Sequence, residues 1–331
     1  MKLFSFSLII IIALCGLLAA MFLAISYGAK EMTLSTVWTA VIDYNPKLTA
    51  HQIIHELRLP RVIGAAVMGA AFAVAGALMQ GVTRNPLADA GILGINSGAT
   101  FAVALSFAFF PNLPYSALIV LSFSGAVLST LFIFMLGRSS AGGLTPLRLT
   151  LAGAVVAALL HSLSSGIAIY YNLAQDLAYW YAGGVAGVKW VQLKLLVPVI
   201  LITIVWAFTL GRSVSLVSLG DDVALNLGVN TKRIRLLGMT ASVILAGVSV
   251  SAVGAIGFVG LVIPHMARKL VGVDYRLIIP LSAILGAVLL VVADMGARMV
   301  NPPRELALGI MVAMVGVPFF LYLARKERRS L

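Results

Sequence analysis

The first apolar block of the chain, residues 8–25, reads LIIIIALCGLLAAMFLAI. It contains no charged residue, and its length approaches the roughly 20 residues that an α-helix needs to cross a hydrocarbon core. The block is longer than the apolar region of a signal peptide, so we interpret it as a first membrane span that is not cleaved. Further apolar blocks follow along the chain, in place of the periodic apolar stripes of soluble helices. The sequence therefore predicts an all-α, polytopic membrane protein.

The composition points to the same class. Of the 331 residues, 61% are hydrophobic and only 10% are charged, and the mean hydropathy is +1.07. A soluble domain of this size needs far more charge on its surface. The net charge of +12 would suit a nucleic-acid partner, but no basic run alternates with aromatic residues that could stack on bases, so we expect none. The single cysteine, Cys15, excludes a disulfide within the chain.

Ten apolar blocks are candidate membrane spans. They cover residues 4–27, 61–81, 91–110, 115–137, 147–171, 192–211, 235–254, 256–267, 277–297 and 305–324. The eighth is too short to cross a bilayer alone and carries Pro264, so we expect a broken or half-length helix packed inside the bundle. The whole chain, 1–331, is predicted to form a single transmembrane domain whose long inner loop covers about 212–234.

Basic residues are unevenly divided between the two sides that ten spans define. Fifteen Lys and Arg residues fall on the side of the termini and eight on the other side, which accounts for all 23. Because cytoplasmic loops carry the excess of Lys and Arg, both termini are predicted to lie in the cytoplasm. An error of one in the number of spans would reverse half of these assignments, so the uneven split supports the count.

The sequence lacks the motifs of an enzyme. No G-x-x-x-x-G-K-[ST] loop is present for ATP, and no Gly-x-Ser-x-Gly elbow is present for a nucleophilic serine. The four histidines are scattered, with no spacing typical of metal ligands. We therefore expect no catalytic residue, no metal site and no cofactor.

Charged residues inside the spans are rare, and Asp294 in the ninth span is the main candidate for a functional one. Arg298 follows four residues later, however, and a helical i,i+4 ion pair explains Asp294 more simply. No acidic or histidine relay of the kind that proton-coupled carriers use is visible in mid-span. This pattern argues against a secondary carrier.

Small residues spaced four apart line the second span. They are Ala65, Gly69, Ala73 and Ala77. Small faces let helices approach closely in lipid, where van der Waals packing drives their association. Packing within the bundle is the favoured interpretation, and contact with another subunit is the alternative.

The inner loop contains the segment GDDVALNLG at residues 220–228. Asp221 or Asp222 can cap the start of a helix, and Gly228 suits its end. The apolar face of this short helix comprises Val223, Ala224 and Leu227. A solvated loop does not need an apolar face, so the helix is expected either to dock into a groove on a cytoplasmic partner or to lie on the membrane surface.

Three arginines mark the outer ends of the spans. Arg58 and Arg61 lie at the entrance to the second span, and Arg298 lies at the end of the ninth. Arginine suits bidentate pairing with carboxylates, which would favour contact with an acidic partner. From the residues alone, contact with lipid headgroups is the simpler explanation.

Several longer segments together resemble a known family. They read RLPR at 58–61, GALMQ at 76–80, NPLA at 85–88, GILG at 91–94, LAG at 151–153, GDDVA at 220–224 and GFVGLVIPH at 257–265. In this combination, and nearly from end to end, the chain resembles the permease subunits of the iron-siderophore and vitamin B12 class of ABC importers, the type II importers. The resemblance implies the type II ABC importer permease fold, a transmembrane bundle of about ten helices in the lipid of a bacterial cytoplasmic (inner) membrane.

The resemblance also implies partners and a cargo. A permease of this class works with a second permease subunit, which is an identical copy or a paralogue. It also works with two cytoplasmic ATPase subunits and an extracytoplasmic substrate-binding protein. Ferric siderophore is the expected cargo, and haem and cobalamin are alternatives. A secondary carrier or a channel that works without ATP is the alternative from another class.

Three groups of residues take roles from the resemblance. The arginines expected to dock the acidic lobes of the binding protein are Arg58, Arg61 and Arg298. The residues expected to couple to the ATPase are Gly220, Asp221, Asp222, Val223, Ala224, Leu227 and Gly228. The residues expected at the cytoplasmic gate are Asn85, Leu87 and Thr145.

Overall fold

A computed structural model describes residues 3–27, 32–139, 146–302 and 304–327. Within these ranges the regular structure is helical, and no strand is found. Seven of the described helical segments are long and apolar enough to cross a membrane. The predicted all-α, polytopic membrane class is therefore confirmed.

The helices follow one another in a simple order along the chain. They are α1 (Leu3–Ser26), α2 (Leu34–Ile42), α3 (Thr49–Ile53), α4 (Leu59–Thr83), α5 (Ile95–Phe109), α6 (Tyr115–Ser139), α7 (Pro146–Tyr170), α8 (Ala174–Ala182), α9 (Trp190–Ser218), α10 (Asp221–Asn226), α11 (Thr231–Val253), α12 (Val259–Val271), α13 (Tyr275–Met299) and α14 (Leu308–Glu327). A π-turn over Ile54–Arg58 joins α3 and α4 into one continuous helix, and a 3-10 turn over Ala90–Leu93 precedes α5. Each of the ten predicted spans corresponds to one of these helices.

The structure corrects several boundaries. The helix of the second predicted span begins at Thr49 rather than at residue 61. Helices α2 and α8 are two further short helices that the apolar blocks did not predict. Helix α9 runs to Ser218 rather than to residue 211, so the inner loop shrinks from 212–234 to the chain between α9 and α11. Gly211 is the last residue of the predicted span, but it does not end the helix. It lets α9 approach α13 so closely that a Cβ there would lie 3.1 Å from the Cα of Arg276.

Helix α4 occupies the centre of the bundle and is almost entirely buried. Its small residues pack against other helices of the same chain, as the favoured interpretation predicts. A Cβ at Gly69 would lie 2.2 Å from the carbonyl oxygen of Gly286 in α13. A Cβ at Gly76 would lie 2.1 Å from the carbonyl oxygen of Gly260 in α12. The two glycines thus allow backbone-to-backbone contact at which alanine would not fit.

The predicted broken helix is present but displaced along the chain. Helix α11 ends at Gly254, which has a φ of +76°, and the chain stays non-helical until α12 begins after Phe258, which has a φ of +68°. Pro264 lies inside α12 rather than at its end. With 13 residues, α12 is about 20 Å long, or about two-thirds of the roughly 30 Å that a membrane span must cross.

The two ends of the bundle are named here after their charged residues. Arg61 lies near the start of α4 and Arg84 directly follows it, so the 25 residues of the helix separate the ends by about 37 Å. The end that contains Arg61 is called the Arg61 end, and the opposite one, where Arg84 pairs with Asp221, is the Asp221 end. Helix α1 ends at the Arg61 end and α14 begins there, so Leu3 and Glu327 both lie towards the Asp221 end.

Candidate functional site

Arg61 lies between two carboxylates at the Arg61 end. Its Nε and Nη2 donate to Asp294 of α13 at 2.8 to 3.1 Å. Its Nη1 and Nη2 donate to the two oxygens of Glu305 at 2.9 Å each. Asp294 is buried, whereas the side chain of Glu305 is 41% exposed. Both contacts are bidentate, the strongest geometry for an arginine and a carboxylate.

The predicted ion pair within α13 is also present. Nη2 of Arg298 lies 3.2 Å from Oδ2 of Asp294, four residues earlier. The contact with Arg61 is shorter and comes from a different helix, so the pair is one part of a larger cluster. Hydrogen bonds from Arg61 hold the pKa of Glu305, which lies between α13 and α14, below its ordinary value.

Arg58 and Arg298 are buried and bind the end of α1. Arg298 donates to the carbonyl oxygens of Ala24 and Tyr27 at 2.9 and 3.0 Å. Arg58 donates to the carbonyl oxygen of Ser26 at 2.9 Å. The last carbonyls of a helix have no partner within it, so these two arginines close the first span. Of the three arginines expected to dock a partner, Arg61 holds a carboxylate that reaches the surface, that of Glu305.

A polar contact repairs the proline break in α12. Pro264 has no N–H to donate to the carbonyl of Gly260, four residues earlier. Instead, Nε2 of Gln80 in α4 donates to that carbonyl oxygen at 3.0 Å. Arg268, one turn after the proline, donates in turn to Oε1 of Gln80 at 3.1 Å and to the hydroxyl of Tyr275 at 3.2 Å. The three residues hold the half-length helix against the centre of the bundle.

Two further ionisable side chains of the bundle were not singled out from the sequence. The carboxylate of Asp89 accepts from the backbone N–H of Ala90 at 2.8 Å, and a Cβ on Gly260 would lie 2.8 Å from it. His161 is exposed near the middle of α7, with Nδ1 3.1 Å from the hydroxyl of Tyr181. Asp89 was missed because the chain after α4 turns back into the bundle, a feature that the unusually short α5 could have indicated.

The coupling segment forms a helix close to the predicted bounds. Helix α10 is preceded by Gly220, with a φ of +129°, and followed by Gly228, with a φ of +78°. The predicted aspartate cap is wrong, because Gly220 occupies the cap position. The predicted apolar face also changes, since Ala224 is fully buried against the chain. The exposed apolar side chains are Val223, Leu225 and Leu227.

The carboxylate of Asp221 binds two arginines of the bundle. Its Oδ2 accepts from Nη2 of Arg84 at 3.1 Å, and its two oxygens accept from Nη2 of Arg235 at 2.8 and 3.0 Å. Arg84 has a left-handed backbone with a φ of +54° and ends α4. Neither arginine was singled out from the sequence as a site residue, because nothing local indicates that they meet Asp221.

The predicted gate residues lie next to this ion cluster. Asn85 follows Arg84 directly, and its Oδ1 accepts from the backbone N–H of Leu87 at 2.9 Å. Asn85 is exposed and Leu87 is partly buried. Thr145 lies outside the described residues. The chain therefore places two of the three residues predicted for the gate within a few positions of the arginine that binds α10.

Among the described residues, no group of three or more His, Cys, Asp or Glu side chains could hold a metal ion. Instead, Arg61 pairs with Asp294 and Asp221 pairs with Arg84 and Arg235, in each case across helices. Since no nucleophile and base come together at either cluster, the arrangement suits contact and movement rather than bond-making chemistry.

Comparisons with known proteins give a consistent result. A model of the FecCD transport family matches residues 16–326. The iron(3+)-hydroxamate import system permease protein FhuB of Bacillus subtilis (strain 168) is 52% identical over 98% of this chain and 84% of its own length. The ferric enterobactin transport system permease protein FepD of Escherichia coli (strain K12) is 37% identical over 95% of this chain and 94% of its own length. A solved metal-chelate type ABC transporter, in an inward-facing conformation, superposes with a TM-score of 0.85 at 26% identity, covering 96% of this chain and 99% of that one.

Proposed function

The chain belongs to the FecCD transport family, and from that premise we propose that it is the membrane permease subunit of an ATP-driven ABC importer for ferric siderophore. The observation that carries the proposal is the 52% identity to an iron(3+)-hydroxamate permease over nearly the whole chain. ATP is hydrolysed by a separate subunit, in keeping with the missing phosphate-binding loop. An ATP-independent carrier is not favoured, because the solved structure that superposes over 96% of this chain is an ABC transporter.

Among iron chelates, ferric hydroxamates are the proposed cargo. The relative named for iron(3+)-hydroxamate import is 52% identical, whereas the relative named for ferric enterobactin is 37% identical. The described residues offer no metal-ligand cluster, so iron would pass enclosed in its chelator rather than bound by this chain. Haem and cobalamin find no support in these relatives.

A strain that lacks this permease tests the cargo directly. Uptake of radiolabelled iron is measured with a ferric trihydroxamate, a ferric catecholate and ferric citrate, before and after the gene is restored. Loss and recovery of trihydroxamate uptake alone is the expected result. Unchanged trihydroxamate uptake, together with loss of one of the other two chelates, would overturn the choice of cargo.

The proposed orientation places the Arg61 end outside and the Asp221 end in the cytoplasm of an inner-membrane protein. The excess of basic residues supports this orientation, and both chain ends would then be cytoplasmic. A second permease subunit, identical or paralogous, is proposed to complete the pathway. His161 supports this arrangement, since an exposed ionisable side chain in a span must face a partner or a water-filled cavity rather than lipid.

The ATPase subunits are proposed to bind α10. Val223, Leu225 and Leu227 are between 44% and 59% exposed at the Asp221 end, where an unpaired helix would leave three apolar side chains in water. Laying such a helix into an apolar groove is a common mode of recognition. A pair of identical or paralogous permeases presents two such helices, which suits two ATPase subunits.

The binding protein is proposed to dock at Arg61. A carboxylate of the binding protein would take the place of the half-exposed Glu305, since Arg58 and Arg298 already hold carbonyls of α1. The ion pairs of Arg61 and Arg298 with Asp294 and Glu305 balance in charge, and Arg58 beside Arg298 adds one positive charge that would attract an acidic surface. Binding of the purified binding protein to the complex in lipid nanodiscs tests this site. Arg61→Gln should weaken binding, Glu305→Gln should strengthen it, and equal binding by both variants would exclude the site.

A further inference from the structure

Helix α10, called the coupling helix from here on, and the chain from Asn85 to Leu87, called the gate segment, share one ion cluster. Asp221 is the first residue of α10, and Arg84 is the last residue before Asn85 and Leu87. The guanidinium of Arg84 lies 3.1 Å from the Asp221 carboxylate, and that of Arg235 lies 2.8 Å from it. From this contact we infer that the Arg84–Asp221–Arg235 cluster is the mechanical link that transmits movement of the coupling helix to the gate. The inference rests on the proposed function, because it assumes an ATPase that moves α10.

The cluster is built to hold α10 against two helices at once. Arg235 extends from the second turn of α11, and its Nε also donates to the carbonyl oxygen of Val82 in the last turn of α4 at 3.2 Å. Asp221 therefore touches α4 through Arg84 and α11 through Arg235. A displacement of α10 that keeps these contacts must pull on the end of α4, where the gate segment begins.

The chain that follows Arg84 is hydrogen-bonded to α4, so it is expected to move together with Arg84. The left-handed turn at Arg84 is followed by an Asn85 side chain that accepts from the N–H of Leu87 at 2.9 Å, and the N–H of Asn85 donates to the carbonyl oxygen of Gln80 at 3.2 Å. This hydrogen-bonded turn ties the gate segment to the helix that Arg84 ends. By contrast, the glycines that can act as hinges lie at the two ends of α10, on the Asp221 side of its contact with Arg84. Gly220 and Gly228 both have positive φ values and bound α10, so α10 can reorient while the gate segment keeps its shape.

These residues are positioning residues and do not touch the cargo. Asp221 is 36% exposed and Arg84 is 38% exposed, so loss of the cluster should leave the packed bundle intact. Loss of the cluster should instead uncouple ATP hydrolysis from import of the chelate. The measurable quantity is the number of chelate molecules imported per ATP hydrolysed.

The experiment uses the complete importer in lipid vesicles, with ferric trihydroxamate as the probe. Asp221→Asn keeps the shape of the side chain but removes its charge. We expect it to lower chelate imported per ATP about fivefold, the lower limit typical of coupled sites. In the Arg84→Gln variant, ATP hydrolysis and recovery of the ATPase with the complex should stay within about twofold of wild type, a range that corresponds to a negligible free-energy change. Arg84→Gln should act alike, and the double variant should be no worse than either single one, because both remove the same contact.

Asp274→Asn is the matched control. It removes the carboxylate of another arginine–aspartate pair at the same end of the bundle, with Arg276 at 2.6 Å, but one that touches neither α10 nor the gate segment. Its import per ATP should equal that of wild type. Losses that add in the Arg84→Gln and Asp221→Asn double variant would overturn the link, as would loss of the ATPase from the Arg84→Gln complex. Normal wild-type coupling with an unaffected Asp221→Asn variant would overturn this inference alone, whereas a wild-type complex that hydrolyses ATP without importing chelate would overturn the proposed function as well.

Discussion

Replacing Gln80 by leucine should destabilise α12 in a way that a second substitution repairs. Gln80 is 2% exposed, and its Nε2 donates to the carbonyl oxygens of Gly260 and Leu261 at 3.0 and 3.3 Å. The first of these carbonyls lacks its helical partner because Pro264 has no N–H. Leucine fills the space of the glutamine, but it leaves this carbonyl buried without a donor.

The size of the effect follows from the contacts that are lost. A buried polar group left without a partner costs about 1–3 kcal/mol. Arg268 also loses the Oε1 acceptor, but it keeps the hydroxyl of Tyr275 at 3.2 Å, so this second loss is partial. We therefore expect Gln80→Leu to lower the free energy of unfolding by about 2–3 kcal/mol. Pro264→Ala in the same background provides an N–H for Gly260 and should recover about 1–2 kcal/mol of the loss.

Thermal unfolding of the purified protein in a mild detergent measures both steps. The expected order of stability is wild type, then the double variant, then Gln80→Leu alone. Pro264→Ala alone should stay close to wild type, because its new N–H competes with Gln80 for a carbonyl that is already satisfied. A double variant that is no more stable than Gln80→Leu would refute the compensation between the glutamine and the proline.

Three further outcomes are expected from thermal unfolding under the same conditions. Arg298→Met should lower the free energy of unfolding by about 3–5 kcal/mol, because it breaks a buried ion pair and leaves carbonyls of α1 without a donor. Replacement of the exposed Arg304 by Met should leave the free energy of unfolding almost unchanged. Equal losses in the two variants would exclude the structural role of Arg298. Gly76→Ala should cost about 1–3 kcal/mol or more, since its Cβ would press on backbone, while Gly16→Ala, with no atom within 4 Å, should be neutral or slightly stabilising; the reverse order would contradict the helix contact. Hydrogen bonds from Arg276 hold the pKa of Asp274 below its ordinary value, so the stabilising effect of Asp274 is full above about pH 4 and is lost as the pH falls through the lowered pKa. The difference in melting temperature between wild type and Asp274→Asn should therefore shrink below about pH 4. A difference that stays constant with pH would exclude this pairing.

The apolar blocks predicted the membrane class and a helix at each of the ten blocks, because a helix in lipid must be apolar over a fixed length. Glycine limited the precision of the ends. Gly211 and Gly254 look alike in the sequence, yet the first lies inside α9 and the second ends α11. The difference depends on what packs against each glycine, which a local pattern does not contain.

The ion clusters show the same limit more sharply. The spacing of Asp294 and Arg298 revealed the pair within α13, because helix periodicity brings residues four apart together. Arg61, the closer partner of Asp294, is 233 residues away in the chain. Likewise, Gly228 marked the end of α10, but the residue that caps its start is Gly220, and the direction of its apolar side chains depended on the contact of Ala224 with the bundle.

Polar contacts between distant helices carry information that apolar packing in lipid does not. Lipid tails are as apolar as leucine, so burial of apolar surface does not by itself select which helices meet. In this chain, the contact from Arg61 to Asp294 joins α4 to α13, the contact from Gln80 to Gly260 joins α4 to α12, and the contact from Ser242 to the carbonyl of Ala75, at 3.1 Å, joins α4 to α11. All three pass through α4, whose small side chains leave little else to distinguish its neighbours. The few polar groups that the spans contain therefore specify how the bundle is assembled, and the same helix extends from the proposed docking arginine to the arginine that binds α10.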